Sequence, residues 1–277
     1  MSKPLRLALF TLESLANARA VRRFIAAHAA DIAMVGLSNP FRKNAGGSLG
    51  QTWRHLKRSG PRFLPYLAAN FSLPRVRGLF AGHAKGPEDV PISDLAASYG
   101  IPTTVVDDLN GPEVARRLRE SGADLIVSFH FDQIFNAETL SLTPMGGVNI
   151  HPSLLPRHRG PVPTTYAMME TPHLFGVTVH RLVPKIDAGA MLAQERSDLP
   201  AGISALHAAV LLHERGRLLL DGVLRNLAEG TQVETPFDPL LPYCPFLTSK
   251  QLADLARRGL KNWDWGDIRD ALSLRVI

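Results

Sequence analysis

Residues 112–129 read PEVARRLRESGADLIVSF, and this stretch decides the fold. Pro112 opens a run that can be helical, and Gly122 stands just past Ser121, where a helix is expected to stop. Asp124–Phe129 then turns apolar over a length that suits a strand. The same unit recurs toward the N-terminus. Leu5–Leu12 is a short apolar run, Ala16–Ala29 carries Ala20, Val21, Phe24, Ile25 and His28 at helical spacing, and Ile32–Leu37 is a second apolar run. Pro91–Tyr99 reads as a helix closed by Gly100, and Thr103–Val106 as a third strand. Toward the C-terminus, Gly147–Ile150, Phe175–Leu182 and Met191–Ser197 read as strands. Ser204–Ala228 reads as a long helix ended by Gly230. Apolar strands alternating with amphipathic helices predict an open, mostly parallel twisted α/β sheet with helices on both faces, of Rossmann-like topology.

Two nucleotide-binding signatures are missing. Thr11–Asn17 follows the first strand without the glycines that let a pyrophosphate approach the backbone, so the chain has no standard dinucleotide site. No phosphate-binding G-x-x-x-x-G-K-[ST] occurs either. The single cysteine, Cys244, cannot form an internal disulfide, and the ten histidines show no zinc-type pairing. We therefore expect no metal. No apolar run reaches the roughly 20 residues of a membrane helix, and a cytoplasmic location is expected.

The formal charge of +6 is uneven. Residues 1–90 hold 14 Lys/Arg against 4 Asp/Glu. Between the second strand and Pro91 lies a long connection, residues 39–90, with Arg42, Lys43, Arg54, Lys57, Arg58, Arg62, Arg75 and Arg77 and no acid from 41 to 87. Trp53, Leu56, Phe63, Leu64, Tyr66, Leu67, Phe71 and Leu73 are interleaved. Such connections usually run to roughly 2–6 residues, so this is a helical insertion, expected to break at Pro61 and Pro74. Two readings stand. One is a lid or docking surface for an anionic or membrane-bound partner; the other is a helical hairpin packing its aromatics onto the domain. The boundaries expected are 1–200 for the main domain and 201–277 for a C-terminal helix and extension without an OB-type barrel. Apolar residues of the tail could form a homodimer face.

The chemistry is concentrated in Gly146-Gly147-Val148-Asn149-Ile150-His151-Pro152-Ser153-Leu154-Leu155-Pro156-Arg157-His158-Arg159-Gly160 and, 36 residues beyond His151, in Ile186-Asp187-Ala188-Gly189. On a strand, Asn149 and His151 leave the same face and project into the crevice at the strand's carboxyl end. Acyl transfer to an amine develops an oxyanion that needs hydrogen-bond donors, and an amide and an imidazolium can supply them. The amine must also lose a proton, and a carboxylate such as Asp187 can charge His151 and relay that proton. Alone, each residue has an ordinary structural explanation: a strand asparagine, a turn aspartate.

Together these motifs resemble the folate-dependent formyltransferases, which include glycinamide ribonucleotide, methionyl-tRNA and sugar N-formyltransferases. The shared pattern is N-x-H followed by [PG]-S-L-L-P and R-G, with an aspartate in D-[AT]-G downstream. Gly176–Arg181 and Ala123–Phe131 also agree, so the resemblance runs over about 100–200. It implies catalysis by Asn149, His151 and Asp187, with His180 behind them. It implies 10-formyltetrahydrofolate as donor, with Phe131, Gln133, Ile134, Leu155, Pro156, Lys185 and Ile186 at the pterin, and Arg159 and Gly160 at the acceptor. The wording Arg159-Gly160-Pro161-Val162-Pro163 is nearest to the amino-sugar branch, so a small, anionic amine such as an amino sugar nucleotide is the acceptor expected. Methionyl-tRNA, glycinamide ribonucleotide and a formyltetrahydrofolate hydrolase are the alternatives. Outside enzymes, a folate-binding module or a basic nucleic-acid binder stays open, although nucleic acid is disfavoured.

Overall fold

The structure, a computed structural model, describes residues 4–39, 47–74 and 90–273. Arg42, Lys43, Arg75 and Arg77 of the insertion lie outside the described residues.

Seven strands form one sheet: β1 (Leu7–Thr11), β2 (Ile32–Ser38), β3 (Thr103–Val106), β4 (Leu125–Phe129), β5 (Gly147–His151), β6 (Gly176–Arg181) and β7 (Met191–Arg196). Their spatial order is β3-β2-β1-β4-β5-β6-β7. The first five are parallel, while β6 and β7 add antiparallel. The order reverses between β1 and β4, and a crevice opens there beyond the carboxyl ends of the strands, as open α/β sheets require.

The apolar strands bury both faces by simple alternation. Leu7 and Leu9 of β1, with Leu125, Val127 and Phe129 of β4, meet α1 (Ala18–Ala27) on one side. Ala8, Phe10 and Ile126 point the other way. They meet Val114 and Leu118 of the helix Pro112–Ser121, which Gly122 closes in the left-handed conformation at φ 59°. Every residue of β1 and β4 is buried.

The insertion is helical where it is described. α2 (Gly47–Ser59) stops before Pro61, as expected, and α3 (Leu64–Leu67) follows, flanked by a short tight turn and a wide one. Phe63 and Tyr66 are stacked at 5.0 Å and buried among residues of the C-terminal segments, so these aromatics do pack onto the domain. Trp53, by contrast, is 57% exposed.

After α4 (Ile92–Ser98) and α5 (Pro112–Ser121) come two helices without a sequence-level expectation, α6 (Ala137–Leu140) and α7 (Pro163–Met169). The long helix α8 (Ala205–Glu229) packs on β5, β6 and β7. A Cβ at Gly216 would stand 2.5 Å from Ile150 Cγ2 and 2.7 Å from Val177 Cγ2. Only glycine lets the helix sit this low on the sheet. That depth brings His213, one turn earlier, down to the crevice. The chain then returns across the site at 241–247 before α9 (Ser249–Arg257) and α10 (Trp265–Ser273). No helix among the described residues is long and apolar enough to cross a membrane.

Candidate active site

Asn149 and His151 stand two apart on β5 and share a face. Across the ladder Asn149 pairs with His180 of β6, and the Asn149 amide nitrogen lies 3.1 Å from His180 Nε2. The direction of this bond follows from the other ring nitrogen. His180 Nδ1 is 2.8 Å from the Arg181 carbonyl, which can only accept, so Nδ1 carries the proton and Nε2 a lone pair. Asn149 must therefore donate. Burial pushes His180 down to about 4 against the pull of Asp187, which keeps the ring neutral and the asparagine oriented.

His151 is read in the same way. Its Nε2 donates to the His158 carbonyl at 3.1 Å, which leaves Nδ1 facing Asp187 Oδ2 at 3.6 Å. Asp187 Oδ1 stands 3.6 Å from His180 Nε2, and Oδ2 accepts the Gly160 backbone N–H at 2.8 Å. One carboxylate thus sits beside both histidines without closing a direct hydrogen bond to either.

Strain is concentrated at this spot. His130, His158 and Asp187 are the non-glycine residues with left-handed backbones among the described residues, at φ 47°, 55° and 46°. Each such residue costs about 1–3 kcal/mol and persists only where its surroundings hold it. His158 is held by its ring, whose Nε2 meets Glu170 Oε1 at 2.9 Å, and its carbonyl is thereby turned onto His151. Asp187 is held by Arg159. That guanidinium, in a residue only 5% exposed, donates to the Ile186 and Asp187 carbonyls and to Leu241 O at 2.8 Å. Gly160, at φ 128°, would drive a Cβ to 2.2 Å from the Cys244 carbonyl oxygen. The returning tail is locked there by Cys244 N donating to Arg159 O at 2.7 Å.

These groups open onto a cavity of about 690 Å³. Asn149, His151, His180, Asp187 and Gly160 line it, as do Phe131, Gln133, Ile134 and Ile186. Leu155, Pro156 and Lys185 do not reach its wall, and neither does Arg159. Leu155 is buried with its N–H on Thr178 Oγ1, and Lys185 is exposed. Arg159, expected at the acceptor, instead spends its donors on carbonyls of the aspartate loop and the tail. Gln133 lines the wall but its amide bridges Leu109 N–H and the Val106 carbonyl, so it ties the loop after β4 to the loop after β3.

Other lining residues carried no motif. Arg54, His55 and Arg58 of α2, Tyr66 and Phe71 beyond it, and Tyr243 and Phe246 of the tail form the far wall. His130 and His213 complete the cavity beside β5 and β6. The position of His130, just past the end of β4, was the one available signal. For His213, a histidine inside an apolar helix, the simpler reading is a satisfied core residue.

The class that fold and site define is an open α/β enzyme with its reactive groups at the topological switch point. Residues 91–213 match the formyl transferase family model. That segment carries Asn149, His151, His180 and Asp187. Among solved structures, a sugar N-formyltransferase from a Shewanella species is 16% identical at a TM-score of 0.54, over 96% of this chain and 86% of that one. A phosphoribosylglycinamide formyltransferase from Anaplasma phagocytophilum is 19% identical at 0.55, over 88% and 100%. A sugar 3N-formyl transferase crystallised with dTDP and 5-N-formyl-THF is 13% identical at 0.53, over 88% and 71%. At these identities the likeness is one of fold.

Proposed function

We propose that this protein carries the formyl group of 10-formyltetrahydrofolate onto the primary amine of a small anionic molecule, for which an amino sugar nucleotide is the best fit. The observation that carries the reading is the meeting of Asn149, His151 and Asp187 on one cavity wall, within a segment that matches the formyl transferase family model. The residues present suit the donor: Phe131, Ile134, Val183 and Ile186 offer an apolar slot at the β4 end, as a planar pterin needs. When bound, the folate supplies an activated formyl group.

The chain's own residues divide the remaining work. Asn149 has two amide hydrogens. One is held by His180 Nε2, and the other is free to donate to an oxyanion in the cavity. His151 Nδ1 can receive the one proton that the attacking amine loses, directly or through a water, and Asp187 at 3.6 Å stabilises the charge the ring then carries. The same proton is returned to the departing nitrogen of the donor, which leaves His151 neutral again. Arg54 and Arg58 on the far wall give the cavity a cationic end, which supports an anionic acceptor.

The test is to mix the purified protein with 10-formyltetrahydrofolate, with and without a panel of amino sugar nucleotides. Acceptor-dependent release of tetrahydrofolate, abolished in Asn149→Ala, is expected. Release without any acceptor would make the protein a hydrolase. Neither release nor folate binding would overturn the reading.

A further inference from the structure

An open α/β sheet commonly receives an anion at the turn after its first strand, on the free amides that begin the next helix. Here the protein fills that place itself. The Leu15 N–H donates to the Asn70 carbonyl at 2.8 Å, and the Ala16 N–H donates to the Asn70 side-chain oxygen at 3.0 Å. Asn70 belongs to the insertion and is fully buried. Ser14 Oγ donates to Asn17 Oδ1 at 2.7 Å, and the Asn17 amide donates to Thr11 Oγ1 at 2.8 Å. Arg22, the buried cation of α1, is paired with Glu13. Neither the amides of Leu15 and Ala16 nor this guanidinium is left for a phosphate.

The same insertion supplies cations elsewhere. Among the described residues that line the cavity, Arg54 and Arg58 are the only lysine or arginine side chains, and Asp132 and Asp187 the only acids. The arginines stand one turn apart on α2, while the acids come from the loops after β4 and β6. The cavity is therefore negative at the sheet and positive at the insertion. Arg58 is exposed and has no ion pair or hydrogen bond among the described residues. The sequence holds no acid from 41 to 87 that could offset it. Burial, with the Arg54 and Arg58 guanidiniums, holds His55 beside them below its ordinary value.

Tyr243 of the returning tail links the two ends. Its ring lies against Gly160, where a Cβ would stand 3.0 Å from Tyr243 Cε2, and the Gly160 N–H is on Asp187 Oδ2. Burial and the Asp187 carboxylate raise the phenol above its ordinary value while Arg58 draws it down, so both charges reach it.

We propose that Arg58, with Arg54 one turn before it and Tyr243 beside it, binds a phosphate group of the acceptor, so that the insertion and not the start of α1 reads the anion. This rests on the acceptor being a small anionic amine, as argued above. A guanidinium suits a phosphate because its planar fork of N–H donors meets the oxygens in pairs. The polarity of the cavity also orients the ligand. The phosphate is repelled by Asp132 and Asp187 and drawn to α2, which turns the amine end toward Asp187 and His151.

The test titrates the full chain with inorganic pyrophosphate and follows backbone amides and arginine Nε–H groups by ¹H–¹⁵N NMR. The Arg58 Nε–H is expected to move while the amides of Leu15 and Ala16 stay in place. Movement at Leu15 and Ala16 without Arg58, or no movement at all, overturns the site. So does an equal response to sodium chloride at the same ionic strength, which would be screening alone. Arg58→Ala is expected to weaken pyrophosphate binding about tenfold. Its Tm should be unchanged, because the side chain is exposed and unpaired. Arg58→Lys, which keeps the charge but loses the fork, should recover part of the loss. Undiminished binding by the alanine variant overturns the proposal. Binding of 5-formyltetrahydrofolate by Arg58→Ala should stay within about twofold of wild type. A loss there equal to that for pyrophosphate would give the guanidinium to the carboxylates of the folate and overturn the proposal as well. Asn149→Ala should stop formyl transfer and keep the pyrophosphate response, so a failure of the transferase reading appears in turnover and a failure of this site in the titration.

Discussion

The two walls of the cavity are built on opposite plans. On the strand wall, Asn149, His151, His180 and Asp187 are each fixed by neighbours on adjacent strands and loops. Two strained backbones beside them, His158 and Asp187, are held in place by Glu170 and Arg159. On the opposing wall, α2, Phe71 and the tail present rings and guanidinium groups. A group that stabilises a transition state must be in position before charge develops, so the strand wall is pre-organised. The opposing wall carries cationic and aromatic groups, which suit the reading of a ligand's charge and shape.

The contrast is sharpest at Asn149. Its replacement by alanine should lower kcat by about 10²- to 10³-fold, the usual effect of losing one oxyanion donor, with Tm nearly unchanged. Steady-state kinetics beside a thermal melt check this; a large fall in Tm instead would mean that the strand wall is structural. Asp187→Asn keeps a side chain that tolerates φ 46° but removes the charge beside His151, and should lower kcat by about 10²-fold with little effect on the acceptor KM.

The frame that holds the strand wall can be attacked at Gly160. Alanine there meets both the Cys244 carbonyl and a φ of 128°, and should destabilise the protein by more than about 3 kcal/mol, with activity falling in parallel. Denaturant titration measures it. On the opposing wall, Arg58→Ala should raise the KM for a phosphorylated acceptor severalfold and leave kcat in place. The ratio to wild type should shrink at high salt, since the lost attraction is screened. An equal loss for an uncharged amine would show that Arg58 does not read the anion.

The smallest effect is on stability against pH. His130, His180 and His213 sit at about 3, 4 and 4 when folded, against 6.5 for a free histidine. As pH falls from 6.5 toward 4 the unfolded chain binds protons that the folded chain refuses, so stability must decline over that window. His28, raised chiefly by its hydrogen bond to Asp221, works in the opposite sense, and its stabilisation fades as pH rises through its folded value. Melts of His213→Leu should show a shallower acid slope than wild type; an unchanged slope would remove His213 from the set.

Much of this was legible before any coordinates. The seven strands, the helices α1, α4, α5 and α8 and the break before Pro61 follow from apolar runs, helical spacing and the placement of glycine and proline. The ends of β1 and α1 shift by one or two residues because strand and helix ends fray into their caps. The short helices α6 and α7 were not legible, since four to seven residues carry too little periodicity. Arg159 shows the limit at the site. Its place beside Gly160 suggested a ligand contact, yet a buried guanidinium needs acceptors, and the nearest were carbonyls of two loops distant in sequence.

By itself, then, the sequence determined the sheet, its helical cover and the shared strand face of Asn149 and His151, because these rest on local periods. Only the tertiary structure decided the rest of the cavity: Arg58 from an insertion, His213 from the middle of an apolar helix and Tyr243 from the returning tail meet there. No local pattern encodes that meeting. It follows from how deeply α8 sits on the sheet and where the tail crosses Gly160, and both depend on atoms that touch across long stretches of chain.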